Sequence, residues 1–174
     1  MKHAVSSTSD IASTLQQAKH MLDAGQSEHA LEALSGCGQH SRAVENAKGV
    51  CLLRLGRLEA ALKLFRELVF PGGAFTIPEE TPTVFRVNYV TTLLLMDNLT
   101  VGLQLLREIP DRRHPLVEQL EASVRRWRQS LPWWRRALTW IGLYPARSFR
   151  LDIVPGGLWL PEGMEGPRPL ERTA

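Results

Sequence analysis

The residues of this 174-residue chain best suited to chemistry are two cysteines, Cys37 and Cys51, and five histidines at positions 3, 20, 29, 40 and 114. Cys37, His40 and Cys51 are the nearest approach to a metal cluster, because thiolate and imidazole are the ligands zinc prefers. Zinc needs four ligands, or three and a water, at close range, and only His29 offers a fourth. Cys51 falls within an apolar helical pattern, where a thiol serves as a small buried hydrophobe. None of the histidines stands near a matched nucleophile and acid, and His114 before Pro115 reads as the start of a helix. A phosphate-cradling glycine loop, a zinc-protease motif and a nucleophile elbow are also missing from the sequence. The expectation is a protein without metal, cofactor or catalytic residues, and not an enzyme.

Binding chemistry is better represented. Nine arginines between Arg112 and Arg150 stand against Glu118 and Glu121, although the whole chain carries a formal charge of only +3. Arginine's planar fork stacks on aromatic rings and pairs bidentately, which suits packed or interfacial charge. Trp127, Trp133, Trp134 and Trp140 interleave with three of these arginines, and Arg125 and Arg126 immediately precede them. The first ten residues hold no apolar core of a signal peptide, and no run reaches the length of a membrane span. With two cysteines and no disulfide framework, the expected setting is a reducing cytoplasm.

The elements that must position these groups follow a line written three times. Leu22-Asp-Ala-Gly25-Gln-Ser-Glu-His-Ala30-Leu31-Glu-Ala-Leu34 aligns without a gap to the segments Leu53–Phe65 and Leu94–Leu106. Each reads as the end of one helix, a tight turn and the start of another. Gly25 and Gly56 suit a turn with positive φ, and Asp97 takes that place in the third unit. Ala30, Ala61 and Gly102 are small where two helices must approach. Apolar residues at three- and four-residue steps predict helices over about 10–24, 27–35, 42–55, 57–69, 82–96, 98–109 and 115–131. A further amphipathic segment spans 132–144. The segment Pro71-Gly-Gly-Ala-Phe-Thr-Ile-Pro-Glu-Glu80 interrupts the second and third units, giving an insertion over 71–81 that cannot be helical throughout. Residues 1–9 read as a flexible start and 145–174 as an extended tail. In that tail the alternation of Phe149, Leu151 and Ile153 predicts a short strand, with Pro155-Gly-Gly turning the chain into a hairpin.

The turn glycines Gly25 and Gly56, the small residues Ala30, Ala61 and Gly102, the bulky Leu34, Phe65 and Leu106, and Gly49 resemble the tetratricopeptide repeat family. The resemblance covers about residues 10–110, with the helix to 131 as a cap. It departs from the family in repeat spacing, in Asp97, and in lacking bulky aromatics early in each first helix. It implies an all-α, right-handed superhelix of three helix hairpins with C-terminal capping helices. The first helix of each unit would line a concave groove for a peptide or partner helix. By alignment the groove residues are Leu15, Lys19, Asp23, Asn46, Val50, Arg54, Val87, Asn88 and Thr91. Lys19, Asn46, Arg54 and Asn88 are of the types that chaperone-binding members use to clamp a terminal carboxylate, but their placement does not reproduce that clamp.

Three readings of the tryptophan and arginine segment stay open: a cap whose tryptophans plug the end of the stack, a helix lying on an anionic membrane, and a nucleic-acid surface. No nucleic-acid reading motif supports the third. A second echo links Val69-Phe-Pro-Gly-Gly-Ala-Phe-Thr-Ile-Pro-Glu79 to Ile153-Val-Pro-Gly-Gly-Leu-Trp-Leu-Pro-Glu162, which chance can produce in a chain with 13 glycines and 11 prolines. The sharper reading is that both loops present apolar side chains at one end of the stack and pack together or form a binding edge. Candidate interface residues are thus Phe75, Trp133, Trp134, Arg135, Arg136, Trp140 and Trp159. The expected function is a protein-interaction scaffold, adaptor or chaperone-like module, with a membrane-associated assembly factor as the alternative.

Overall fold

The computed structural model describes residues 2–38, 41–140, 144 and 149–159, the side chains of residues 2–9 and of Trp140 excepted. Among the described residues it is all-α, with eight α-helices and one short 3-10 turn. The helices are α1 (Lys2–Asp23), α2 (Ser27–Gly36), α3 (Arg42–Arg54), α4 (Leu58–Val69), α5 (Thr83–Leu95), α6 (Leu99–Arg107), α7 (Pro115–Ser130) and α8 (Trp133–Trp140). The helical backbone of α1 thus reaches back through the segment expected as a flexible start.

The repeated line becomes a repeated geometry. Gly25, Gly56 and Asp97 all adopt left-handed φ values, +76°, +72° and +60°. At each turn that residue's N–H donates to the carbonyl three positions back (Leu22, Leu53, Leu94), and the next residue's N–H reaches five back (Met21, Leu52, Leu93). These bonds satisfy carbonyls that a helix end would otherwise leave bare. Asp97 therefore supplies the turn without glycine, a conformation that Asp tolerates better than most residues.

Close approach then explains the small residues. Ala30 and Ala61 are fully buried. A β-carbon on Gly102 would lie 2.8 Å from Leu94 Cδ2, and one on Gly49 would lie 2.6 Å from Phe65 Cε1. Helices α1 to α6 pack each against the next, and α1, α3, α5 and α7 also touch in succession, so the first helices of the hairpins share one face. One apolar cluster joins α1 to α4 with Phe85 of α5, and a second joins α5, α6 and α7. The insertion is tied down by Arg86, whose buried guanidinium donates to the carbonyls of Pro78, Thr81 and Glu79 at 2.6, 3.2 and 3.3 Å.

Two expectations need correction. The tail forms no hairpin among the described residues; 149–159 is a single irregular, extended run, because its main chain bonds to side chains of the helices instead of to a second strand. Among the described side chains of α8, Trp133 and Trp134 do not plug the stack, since they are 77% and 49% exposed. Phe149, Leu151 and Tyr144 cover the second cluster, with Phe149 edge-on to Trp127 at 5.6 Å. The chain beyond α8 thus takes the place the sequence reading assigned to α8.

Candidate functional site

The face shared by the first helices carries its polar groups in one stripe. Asn46, Val50 and Arg54 follow one another at four-residue steps along α3, which places them on one side of that helix. Asn46 and Asn88 are fully buried. A buried amide that finds no partner is costly, so each must be bonded.

Their partners lie in the tail. Asn88 Nδ2 donates to the Gly157 carbonyl at 2.8 Å, and the Gly157 N–H donates back to Asn88 Oδ1 at 2.8 Å. Asn46 Nδ2 donates to the same carbonyl at 3.2 Å, while Asn46 Oδ1 accepts from Asn88 Nδ2 at 2.8 Å. Arg54 Nε donates to the Pro155 carbonyl at 3.1 Å, and its Nη1 to the Leu22 carbonyl at 2.9 Å. The order Arg54 to Pro155, then Asn46 to Gly157, runs the segment antiparallel to α3.

Apolar contacts complete the seat. A β-carbon on Gly156, where φ is +86°, would stand 3.0 Å from Val50 Cγ1, and one on Gly157 would stand 2.3 Å from Leu116 Cδ1. Trp159 meets Phe85 edge-on at 5.3 Å, and the Arg42 guanidinium stacks over Phe85 at 5.2 Å. Upstream, the Asp152 carboxylate accepts from Ser123 and Arg126 of α7. These bonds hold its pKa well below the usual carboxylate range, the Arg126 bond most of all.

Of the nine groove residues expected from the resemblance, Asn46, Val50, Arg54 and Asn88 meet on this segment. Leu15 and Val87 are buried in the two apolar clusters, and Thr91 is buried on α5. Lys19 and Asp23 pair with each other on the surface of α1 at 2.7 Å, a bond that lowers the Asp23 pKa. Asp23 also borders an open cavity of about 590 Å³ shared with Arg54, Val154 and Pro155.

The expected interface residues separate. Trp159 is seated, whereas Phe75 is fully exposed beyond a 3-10 turn at Pro71–Gly73. Phe75 borders a cavity of about 380 Å³ with Phe70, Ile77 and Tyr89. Arg135 stacks over Trp134 at 4.9 Å, Arg136 is exposed, and the side chain of Trp140 lies outside the described residues.

Among the described residues no cluster of three or more metal-ligating side chains forms, and His40 lies outside them. Burial pushes the Cys51 thiol up to about 11, so it stays protonated, and the Cys37 thiol donates to the Leu34 carbonyl at 3.0 Å. His114 Nδ1 accepts from the Leu116 N–H at 3.2 Å and so caps α7.

Sequence reading missed the occupant of this face. It also missed Ser123, Arg126 and Asp152, which are unremarkable in sequence and meet only when the tail returns to α7. The one signal was the Pro155-Gly-Gly pair followed by an aromatic, singled out as an echo but not as a ligand. No protein-family model matches this chain, and no curated protein or solved structure matches it either. Among the described residues, no helix is long and apolar enough to cross a membrane.

Proposed function

We propose that this chain is a non-catalytic interaction module of the tetratricopeptide type, an adaptor or chaperone-like binder. Its first helices form the inner wall of a right-handed superhelix, and the groove receives an extended segment of a partner protein in the cytoplasm. The observation that carries this reading is Asn88, whose one buried amide engages both the N–H and the C=O of a single extended residue. Recognition of that kind reads main chain, as a strand would, and leaves side-chain pockets to set specificity. The test is selection from a random peptide library on the immobilised chain. Ligands lost on Asn88→Ala, with the helical circular dichroism kept, support the groove; ligands bound equally by both proteins overturn it.

A second reading rests on α8. At about 100° per residue, Trp133, Ala137, Trp134 and Leu138 form one continuous exposed arc, while Thr139 on the opposite side is buried. An amphipathic helix with its apolar arc outward suits an anionic membrane surface, with Arg135 and Arg136 beside lipid phosphate. Sedimentation with anionic liposomes at low salt is expected, and Trp133→Ala with Trp134→Ala should abolish it. No sedimentation of the wild-type chain removes this reading.

A further inference from the structure

Resting on the groove reading above, we infer that residues 155–159 are a ligand carried in cis. The groove selects an extended segment of the order glycine, glycine, apolar, aromatic, and a partner's segment of that chemistry enters by displacing the chain's own.

The segment is held as a peptide ligand is held. Its main-chain groups bond to Arg54, Asn46 and Asn88, three side chains from two different helices. None of these bonds depends on which side chains the segment carries. Selection comes from space and conformation instead. Gly156 sits at φ +86°, where a residue with a β-carbon is strained, and Val50 closes in beside it. Gly157 lies under Leu116, where a β-carbon would overlap Cδ1 at 2.3 Å. Glycine at 156 is thus favoured by backbone conformation, and glycine at 157 by the Leu116 methyl, which must turn aside for any larger residue. Two residues on, Trp159 meets the edge of Phe85, a contact that asks for an aromatic ring.

The rest of the tail acts as a separate anchor. Phe149 on Trp127, and Asp152 on Ser123 and Arg126, fix it to α7. Val154, 71% exposed, separates that anchor from the seated residues. Residues 155–159 can therefore leave the groove while the α7 anchor stays closed. A tethered ligand has an effective concentration of about millimolar order, so free peptide at micromolar concentration competes poorly until the tether's own contacts are weakened.

The experiment uses the full chain and a fluorescent synthetic peptide, Leu151–Trp159. Gly156→Ala with Gly157→Ala in the full chain should unseat the tail without altering the groove wall. That variant is expected to bind the wild-type peptide at least roughly tenfold more tightly than the wild-type chain does. It should lose this binding on adding Asn88→Ala, and it should not bind a peptide carrying the same two alanines. No saturable binding to the folded variant, or equal binding by variant and wild type, overturns the proposal. A library-selected peptide that binds the variant through Asn88 while the tail peptide does not would refute the cis ligand and leave the groove reading standing. Failure of both kinds of peptide refutes both. Should the double variant lose its helical signal, Trp159→Ala replaces it as the unseating change. Loss of fold there too overturns the proposal, because a displaceable ligand cannot be required for folding.

Discussion

Two segments of this molecule share the order Pro-Gly-Gly, apolar or small, aromatic, and they end in opposite places. At 155–159 the aromatic is Trp159, packed on Phe85, and the main chain is bonded by amides of α3 and α5. At 71–75 the aromatic is Phe75, wholly in solvent, and the main chain closes on itself: Gly73 N–H donates to Phe70 and Ala74 N–H to Pro71. Gly156 is left-handed in the first, and both Gly72 and Gly73 are left-handed in the second. The difference lies in the receiving surface. An extended run stays extended where side chains meet its N–H and C=O groups, and it curls into a local turn where none do.

The largest effect should come from removing the receiving amide. Asn88→Ala leaves the Gly157 N–H, and an acceptor on Asn46, without their buried partner. Each such orphan costs about 1–3 kcal/mol. Chemical denaturation is expected to show a loss of about 2–4 kcal/mol. For a chain of this length that is a fall of about 5–15 °C in Tm. Amide hydrogen exchange should place the change at Gly157. A loss below about 0.5 kcal/mol, within the range of ordinary surface substitutions, would mean that the tail is not held there.

The insertion has an anchor of its own, and Arg86→Met tests whether the two loops are independent. Methionine keeps most of the aliphatic volume but none of the donors to Pro78, Glu79 and Thr81. About 1–3 kcal/mol should be lost. Exchange should accelerate around residues 74–81 while Gly157 stays protected. Equal acceleration at both would show the loops to be coupled.

How much of this was readable beforehand depends on the range of the interactions. The turns at Gly25, Gly56 and Asp97 depend on residues within five positions, and the alignment of three units placed them correctly. Asn46, Val50 and Arg54 were named beforehand only through the resemblance, by alignment to groove positions, and their four-residue step is what puts them on one side of α3. What lay on the stripe was not readable, since Gly157 is 111 residues from Asn46 along the chain. Alternation at Phe149, Leu151 and Ile153 signals an extended run, but it does not say whether a strand or a set of side chains will pair with it. In α8, periodicity defines an apolar arc without saying which way the arc faces. Trp133 and Trp134 face outward while Phe149 covers the cluster they were expected to cover.

The glycines sharpen the comparison on a smaller scale. Gly72→Ala and Gly156→Ala both force a β-carbon into the left-handed region, worth about 1–2 kcal/mol each. Around Gly72 there is open space within 4 Å, whereas Val50 Cγ1 would stand 3.0 Å from the new atom at position 156. Denaturation should therefore rank Gly156→Ala as the more destabilising. The reverse ranking would place the tail elsewhere.

The smallest effect concerns Asp152, which anchors the tail to α7 from a solvent-exposed position. Its folded pKa is depressed by the bonds from Arg126 and Ser123, against an ordinary value of 3.8. The folded protein thus binds the proton less readily than the unfolded chain. The contribution is fully present above the ordinary carboxylate range, and it fades as pH falls below about 4 toward the folded pKa. Salt screens such an exposed pair, so the acid-induced loss should be modest and largest at low ionic strength. Carbon NMR of the Asp152 carboxyl should follow its titration, with Gly157 exchange recorded across the same pH series. Asp152→Asn removes the charge and should make tail protection nearly indifferent to pH in that window, while Phe75 and the insertion respond identically in both proteins. If the insertion also loosens with the titration of Asp152, the two segments share an anchor and the contrast between them fails.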